Sequence, residues 1–330
     1  MTGTNEAAVR VTAVVVTYDR RDLLAEALEA LRAQTRRADR VVVVNNASPD
    51  DSSGLVRERF PEAELVELRR NIGGAGGFGA GIAHALAGSD ADEAAHGPGL
   101  LWLLDDDTVP EPSALAALLD AREAATGPDG PPVLLASRVV WTDGRDHPMN
   151  TPRPKPMASA AERARAEAAD CVPIRSASFV SILVDAATVR ERGLPVADYF
   201  LWNDDFEFTT RILRGRRGLL CPGSLVVHKT RVFGGTETDP GARFHLEVRN
   251  KLWLFTRSSG LGPVERVLYA GSTLRRWSRT FAASGDRATL RAGLGSGVRA
   301  GLFSRPAPTA AVLREAGATV GLDEFEKPKG

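Results

Sequence analysis

The chain has 330 residues, of which 43% are hydrophobic and 25% charged, a composition typical of a globular protein with a sizeable core. Its 42 Lys and Arg balance its 42 Asp and Glu, so no overall field attracts a polyanion and we expect no nucleic-acid partner. The two cysteines, Cys171 and Cys221, are too few for a disulfide framework or a four-thiolate zinc site, and both are predicted to be core residues. The chain is therefore expected to be cytoplasmic.

The first half of the chain alternates short β-branched runs with helical patterns, as βαβ units do. Residues 41–44 are all valine, which favours a strand covered by helices on both faces, as in a mostly parallel sheet. The predicted strands are residues 11–17, 41–44, 63–68 and 100–104, and the predicted helices are residues 23–31, 50–60, 76–87 and 111–124.

The second half continues with predicted strands at 133–140, 178–184 and 225–228 and a helix at 203–214. Two segments are predicted to be loops. Residues 148–159 contain several prolines, and residues 234–241 have turn composition that suits either an active-site lid or a plain surface loop. The organisation predicted is a catalytic domain over 1–260, a basic amphipathic helical extension over 261–305 and a disordered tail over 306–330.

Asp105, Asp106 and Asp107 directly follow a predicted buried strand. Three carboxylates cannot lie together there without a cation or a solvent-filled cleft. Oxygen ligands of this kind select Mg²⁺ or Mn²⁺, and Asp105 and Asp107 would face the same side. His228, at the end of another predicted strand, could complete the ligand set. The alternative is an acidic loop that caps the next helix.

Three other predicted strand ends are also polar, at residues 17–20, 45–48 and 69–71. Each alone is ordinary turn chemistry. Because open α/β sheets bind ligands at the carboxyl ends of their strands, together they suit a nucleotide whose diphosphate meets the metal.

Residues 74–79 match the pattern G-x-G-x-x-G, but they follow the third predicted strand and not the first. We therefore interpret the glycines as a loop whose backbone approaches a ligand, with close helix packing as the alternative. A dinucleotide-dependent oxidoreductase is a distant alternative that only this pattern favours. A sugar-binding protein without catalysis would not need both acidic clusters.

A second acidic cluster, residues 203–207, follows the aromatic stretch 199–202 and begins a predicted helix. Carboxylates are favoured at a helix N-terminus in any case. An aromatic side chain beside a carboxylate is also what a sugar site needs, with the carboxylate as general base.

In this order, these residues resemble the inverting glycosyltransferases of family 2, which have the nucleotide-diphospho-sugar transferase fold, called GT-A. The resemblance runs from residue 11 to about residue 250. Residues 105–107 resemble the family's D-x-D metal motif, and residues 201–207 resemble its base motif. Residues 71–78 and the Arg249–Asn250 pair are most similar to bacterial galactofuranosyltransferases and related rhamnosyltransferases.

The resemblance implies a role for each matched residue. Asp205 would be the catalytic base, and Asp105, Asp107 and His228 would hold Mn²⁺ or Mg²⁺. The donor nucleotide would lie against Thr17, Tyr18, Arg20, Asn45, Asn46, Asn71, Gly73, Gly74 and Asp106, and the acceptor against Trp202, Asp204 and Glu207. Many relatives have Asp where this chain has Asn45, which leaves the choice of nucleotide base open. Asp204 is either an acceptor contact or a helix cap.

The implied reaction moves galactofuranose from its UDP donor, with inversion, onto a hydroxyl group of a lipid-linked or cell-wall saccharide. A polyprenyl-diphosphate-linked saccharide is the expected acceptor, and a rhamnosyltransferase that uses a dTDP donor is the alternative. The pattern indicates nothing about the oligomeric state.

The segment 265–305 carries eight arginines and only two acidic residues, with aromatic and aliphatic side chains between them. Such a segment suits peripheral contact with an anionic membrane at the inner face of the plasma membrane. A solvated helix face that packs on the catalytic domain explains it equally well.

Overall fold

The computed structural model describes residues 9–87, 99–233 and 240–326. Within them the strands, numbered in chain order, are β1 Val11–Thr17, β2 Arg40–Asn45, β3 Glu64–Glu67, β4 Leu100–Asp105, β5 Thr108–Pro110, β6 Leu134–Val140, β7 Arg153–Pro154, β8 Val172–Ser176, β9 Ser181–Asp185 and β10 Gly218–His228. The helices are α1 Arg21–Arg32, α2 Ser52–Arg59, α3 Gly73–Leu86, α4 Ala114–Ala124, α5 Ala160–Ala168, α6 Ala186–Arg192, α7 Asp204–Ile212, α8 Phe244–Thr256, α9 Pro263–Ala283, α10 Arg287–Phe303, α11 Thr309–Glu315 and α12 Asp323–Glu326.

All ten strands belong to one sheet with the order β3-β2-β1-β4-β9-β6-β10-β8-β7, and β5 pairs with β10. The half from β3 to β4 is parallel, as predicted. In the other half β6 and β10 are again parallel, but β9 runs antiparallel to both β4 and β6, so the sheet is mixed. An apolar run shows that both faces of a strand are buried, but it does not record the direction of the strand.

Helices cover both faces of the sheet and enclose a separate apolar core on each. In β1, Val14 and Val16 face the core formed with α3, α7 and α11, while Ala13 and Val15 face the core formed with α1, α2 and α4. This alternation follows from the two-residue repeat of a strand. The β-branched runs of the sequence therefore form the centre of the fold, as predicted.

Helix α3 begins at Gly73, so the glycine run 74–79 lies within the helix and the predicted loop is wrong. The alternative of close helix packing is correct. A Cβ atom on Gly77 would lie 2.5 Å from a methyl carbon of Val16, and one on Gly81 would lie 2.4 Å from a methyl carbon of Val14. The missing side chains let α3 lie directly against β1.

The tail predicted to be disordered is instead ordered as far as residue 326, with α11 and α12 packed on the core beside α3. Leu313 and Leu322 are fully buried there, and the backbone N–H of Arg69 donates to the carbonyl of Ala316. These tertiary contacts account for the order of the segment. Residues 234–239 of the predicted lid lie outside the described residues.

We predict that Gly81→Ala lowers the free energy of unfolding by about 1–3 kcal/mol, because its Cβ would overlap both Val14 and Val44. Gly79→Ala is the matched control in the same helix, since the nearest atom to its Cβ would be 3.7 Å away. The control should gain up to about 1 kcal/mol from helix propensity. Denaturant unfolding measures both values, and equal effects would contradict the packing described here.

Candidate active site

The carboxyl ends of β1, β2, β4 and β10 lie at one edge of the sheet, because these strands run in the same direction. This edge brings together the three aspartates that follow β4, His228 at the end of β10 and the polar residues that follow β1 and β2. It is the edge at which α/β proteins bind ligands.

Asp106 points inward and holds the end of β1. One of its oxygens accepts hydrogen bonds from the Thr17 hydroxyl at 2.9 Å and the Tyr18 backbone N–H at 3.1 Å, and the other accepts from Arg20 at 3.1 Å. Burial raises the pKa of Asp106 to about 6, although the charge of Arg20 opposes this shift. Of this predicted donor-side set, Asp106 and Thr17 are buried in the network, while Tyr18 and Arg20 remain exposed.

Asp105, Asp107 and His228 form a compact cluster in which one ligand atom from each lies within 4.8 Å of the others. Nε2 of His228 is 3.0 Å from one oxygen of Asp107, and the other oxygen of Asp107 accepts from Arg20. Nδ1 of His228 is 2.9 Å from the amide oxygen of Asn150, whose amide nitrogen donates to Ser178. If Nδ1 carries the proton, Nε2 is free to bind a cation.

The carboxylate of Asp105 fits a metal site for a further reason. Within the described parts of the chain it has no hydrogen bond or ion pair. Burial raises the pKa of Asp105 to about 7, and the neighbouring charge of Asp107 adds to the shift. Two carboxylates and an imidazole form a donor set that suits Mn²⁺ or Mg²⁺, and a divalent cation would offset the repulsion between the acids.

The asparagines that follow β2 support the backbone. The amide of Asn46 accepts from the N–H of Ile72 and donates to the carbonyl of Gly73, both at 2.9 Å, and this residue is 2% exposed. Asn45 accepts from the N–H of Ser48 at 2.8 Å and donates to Ser53 at 2.6 Å. The structure thus engages both predicted donor contacts in hydrogen bonds within the protein, Asn45 with residues 48 and 53 and Asn46 with the backbone at the start of α3.

Gly73 joins this region to the second acidic cluster. It has a φ of +71°, and a Cβ atom there would lie 1.9 Å from the carbonyl oxygen of Phe200. Its N–H donates to the side chain of Asn71, which is half-buried at the start of α3. Gly73 is therefore required by the backbone, because an L side chain would be strained and would clash.

The loop that precedes α7 is strained. Phe200 has φ 63° and ψ −64°, and the N–H of Leu201 donates to the carbonyl of Tyr199 at 2.7 Å, which closes a γ-turn of the rare positive-φ form. Trp202 and Asn203 also have positive φ, at 66° and 63°. Non-glycine residues in such conformations cost about 1–3 kcal/mol each, so the surrounding structure must hold the loop in place.

Arg249 and Asn250 on α8 hold this loop. The Asn250 side chain is fully buried, and its Nδ2 lies within 3.0 Å of the carbonyl oxygens of Tyr199, Leu201 and Trp202. Arg249 donates to the carbonyls of residues 198 and 199 at 2.7 and 3.2 Å. Only the family resemblance pointed to this pair, and no local pattern indicates that its partners are carbonyl groups some 50 residues away.

Helix α7 begins with Asp204 and Asp205, and the charges that surround the two carboxylates differ. Asp204 lies beside Gly74, and burial with the charges of Asp205 and Asp105 raises its pKa well above the usual range. Burial also raises the pKa of Asp205, but the N–H of Phe206 and the charges of Lys251 and Arg153 oppose this shift.

Glu207 does not lie with these two aspartates. It is 2% exposed, it forms a buried ion pair with Arg211 at 2.8 Å, and it accepts from the Ser258 hydroxyl at 2.8 Å. The predicted acceptor contact by Glu207 is therefore wrong, since its carboxylate is engaged in the core of the helix packing. The sequence contains an indication of this ion pair, because Glu207 and Arg211 are four residues apart in a predicted helix and such residues lie next to each other.

Residues 12–161 match the profile of Glycosyl transferase family 2. Galactofuranosyltransferase GlfT1 of Mycolicibacterium smegmatis is 30% identical over 249 residues, which cover 72% of this chain and 76% of that protein. The protein of the same name from Mycobacterium tuberculosis H37Rv is 33% identical over 294 residues, which cover 80% of this chain and 86% of that protein.

Solved structures agree on the fold. S. aureus TarS has a TM-score of 0.58 at 14% identity, with 96% of this chain and 54% of that chain covered, so the chain spans about half the length of TarS. The mannosyltransferase PcManGT from Pyrobaculum calidifontis has a TM-score of 0.52 at 20% identity, with 97% and 81% covered. The GT-A fold and the relatives exclude the oxidoreductase alternative, and the chain belongs to glycosyltransferase family 2.

Proposed function

We propose that this glycosyltransferase moves galactofuranose from UDP-galactofuranose onto a saccharide hydroxyl, with inversion and with the help of a divalent cation. The observation that carries the proposal is the cluster of Asp105, Asp107 and His228 at the strand edge. The name GlfT1 of the relatives supports the sugar. Fold neighbours solved with UDP-GlcNAc and with GDP-Man and Mn²⁺ support a nucleotide-sugar donor and a metal. Transfer of rhamnose from a dTDP donor is the alternative, because Asn45 does not decide the nucleotide base.

Asp105, Asp107 and His228 would hold Mn²⁺ or Mg²⁺, and a cation bound there would neutralise negative charge on the departing diphosphate. Arg20 contributes a fixed positive charge at the same edge. Its side chain is 46% exposed while it pairs with Asp106 and Asp107, so a donor phosphate can reach it. Thr17 and Asp106 then act by fixing the end of β1 on which Arg20 depends.

Asp205 is the better candidate for the base that removes the proton from the acceptor hydroxyl. A general base must be ionised before the reaction, and the charges of Lys251 and Arg153 favour its carboxylate form. Burial raises the pKa of Asp204 well above the usual range, and the charges of Asp205 and then Asp105 add to the shift, so the protonated form of Asp204 is favoured. A protonated Asp204 would hydrogen-bond to a sugar without acting as the base.

The fixed position of Asp205 depends on the loop before it. Trp202 and Asn203 enter α7 with positive φ, and the carbonyl of Trp202 is held by Asn250. Loss of that anchor would let the strained loop relax and move the base. Asn250 is thus a positioning residue, because it has no free polar group for substrate.

The acceptor is proposed to be lipid-linked and the enzyme to work at the surface of an anionic membrane from the cytoplasmic side. Of the 21 residues of α9 only Thr273 and Thr280 are buried. Four large apolar side chains of this helix are exposed by 60–73%, and these are Val264, Val267, Leu268 and Leu274. No helix among the described residues is long and apolar enough to span a bilayer, so the contact would be peripheral. The ring of Tyr269 on α9 lies 5.1 Å from that of Phe206, next to Asp205.

Asp205→Asn should reduce sugar transfer at least about 100-fold, because an amide cannot accept the acceptor's proton. UDP binding should be unchanged. Asp204→Asn is the matched control and should have the smaller effect on transfer. Transfer of radiolabelled sugar and calorimetric titration with UDP measure the two properties. Full activity of Asp205→Asn with an inactive Asp204→Asn would assign the base to Asp204.

Asn250→Asp should reduce kcat by about tenfold or more and leave UDP affinity unchanged, because a carboxylate would face three carbonyl oxygens where an amide donated. Thr256→Val at the exposed C-terminal end of α8 is the control, since its hydroxyl bonds only to the carbonyl of Leu252. Steady-state kinetics and a thermal unfolding curve of each variant are the measurements. An Asn250→Asp protein that folds and turns over normally would contradict the positioning role.

The protein should co-sediment with phosphatidylglycerol-containing vesicles and not with pure phosphatidylcholine vesicles. A Val267→Glu, Leu268→Glu double variant should lose this binding, because it places two negative charges on the exposed face of α9. A matched double change to Ala should weaken it less. Equal amounts of wild type and Glu variant in the pellet would show that α9 is a solvated helix face.

A further inference from the structure

Two cations act on Asp205 and lie against the ring of Phe206. Lys251 is 6% exposed, and its ammonium lies 4.9 Å from the ring centroid of Phe206. The guanidinium of Arg153 lies 6.0 Å from the centroid of the same ring. Across the described ranges, neither side chain has a hydrogen bond or an ion pair with another group.

The neighbouring acids do not satisfy Lys251. Glu247 is engaged by Asn203, Trp277 and Arg276 and influences Lys251 only through its charge. Burial lowers the pKa of Lys251 to about 8, and the charges of Arg276 and Arg153 act in the same direction against those of Glu247 and Asp205. A buried ammonium without a hydrogen-bond acceptor is costly, and a second unpaired cation beside it adds to the cost.

We propose that Lys251 and Arg153 form a subsite for an oxyanion of the acceptor, a phosphate or a carboxylate, next to the hydroxyl that Asp205 deprotonates. This inference rests on the proposed function and adds a charge requirement to the acceptor. The ammonium supplies a point charge and the guanidinium a planar pair of donors, both of which match oxyanions. Both cations lie against the ring of Phe206, which packs against the ring of Tyr269 edge-on at 5.1 Å.

Binding of small probes tests the subsite without knowledge of the natural acceptor. The full-length protein is first saturated with UDP and Mg²⁺, so that the donor site is closed to phosphate. It is then titrated by calorimetry with phenyl phosphate, with benzoate and with neutral phenyl galactoside. Phenyl phosphate or benzoate should bind, and the stronger of the two identifies the class of anion.

Lys251→Met and Arg153→Gln should each weaken binding of that anion by about tenfold, as expected for loss of a charge-assisted hydrogen bond. Phenyl galactoside binding should not respond to either change. Arg314→Gln, an exposed arginine on α11 paired with Glu326, is the control and should bind the anion as wild type does. Should Lys251→Met fail to fold, Arg153→Gln still gives a reading, because that side chain is exposed.

Anion binding that is absent from the wild type, or undiminished in Lys251→Met and Arg153→Gln, would overturn the subsite. Undiminished binding with reduced sugar transfer would mean instead that the two cations act only on Asp205. Saturation with UDP is itself the test of the proposed function, because a protein that does not bind UDP contradicts that function. Loss of the anion subsite in a protein that does bind UDP contradicts only the further inference.

Discussion

Three adjacent carboxylates at the end of β4 are the constraint on which the site depends. This strand lies between β1 and β9 in the sheet, so the charges of Asp106 and Asp107 have little access to water and Asp105 is half-buried. The fold compensates each of them differently. Asp106 is satisfied by the end of β1, Asp107 by Arg20 and His228, and Asp105 by no group that the structure describes. The uncompensated charge is what makes this edge suited to a cation.

A second chain of contacts fixes the acceptor side relative to this cluster. Asn46 at the end of β2 holds the carbonyl of Gly73, and Gly73 lies directly under the carbonyl of Phe200. The strained loop from Phe200 is held in turn by Asn250. Two asparagine side chains and the backbone of Gly73 and Phe200 thus connect the donor-side strands to α7, on which Asp204 and Asp205 lie. Asn46 is 2% exposed and Asn250 is fully buried, so packing holds both linking side chains in place.

The sequence predicts those features that depend on local pattern. The alternation of strands and helices from Val11 to Leu104 and the acidic residues after β4 could be identified because both are recorded in consecutive residues. The direction of β9, the order of the tail and the burial of the glycines of α3 could not, because each depends on a distant partner. Two examples are the packing of α11, which depends on the burial of Leu313 in the core, and the packing of Gly81, which depends on its contact with Val14.

The site shows the same division. Residue type indicated that Asn45 and Asn46 lie at a strand end, but not that their amides bind Ser53 and the backbone of Gly73. Family resemblance placed Glu207 beside the acceptor, whereas its ion pair with Arg211 removes it from the site. No pattern in the sequence points to Lys251, because a single lysine in a helix is ordinary until its neighbours are known. Only the three-dimensional structure shows that its ammonium acts on Asp205 and has no hydrogen-bond acceptor among the described residues.

The most direct test of the central claim, a metal-assisted nucleotide-sugar site at Asp105, Asp107 and His228, is a thermal-shift comparison of UDP, dTDP and NAD, each with Mn²⁺ and with chelator. A ligand that binds only the folded protein raises its Tm. The account predicts a rise with UDP that needs Mn²⁺ and disappears in Asp105→Asn, and a rise with dTDP alone would indicate rhamnosyl transfer. A rise with UDP that neither the chelator nor Asp105→Asn reduces would contradict the metal site.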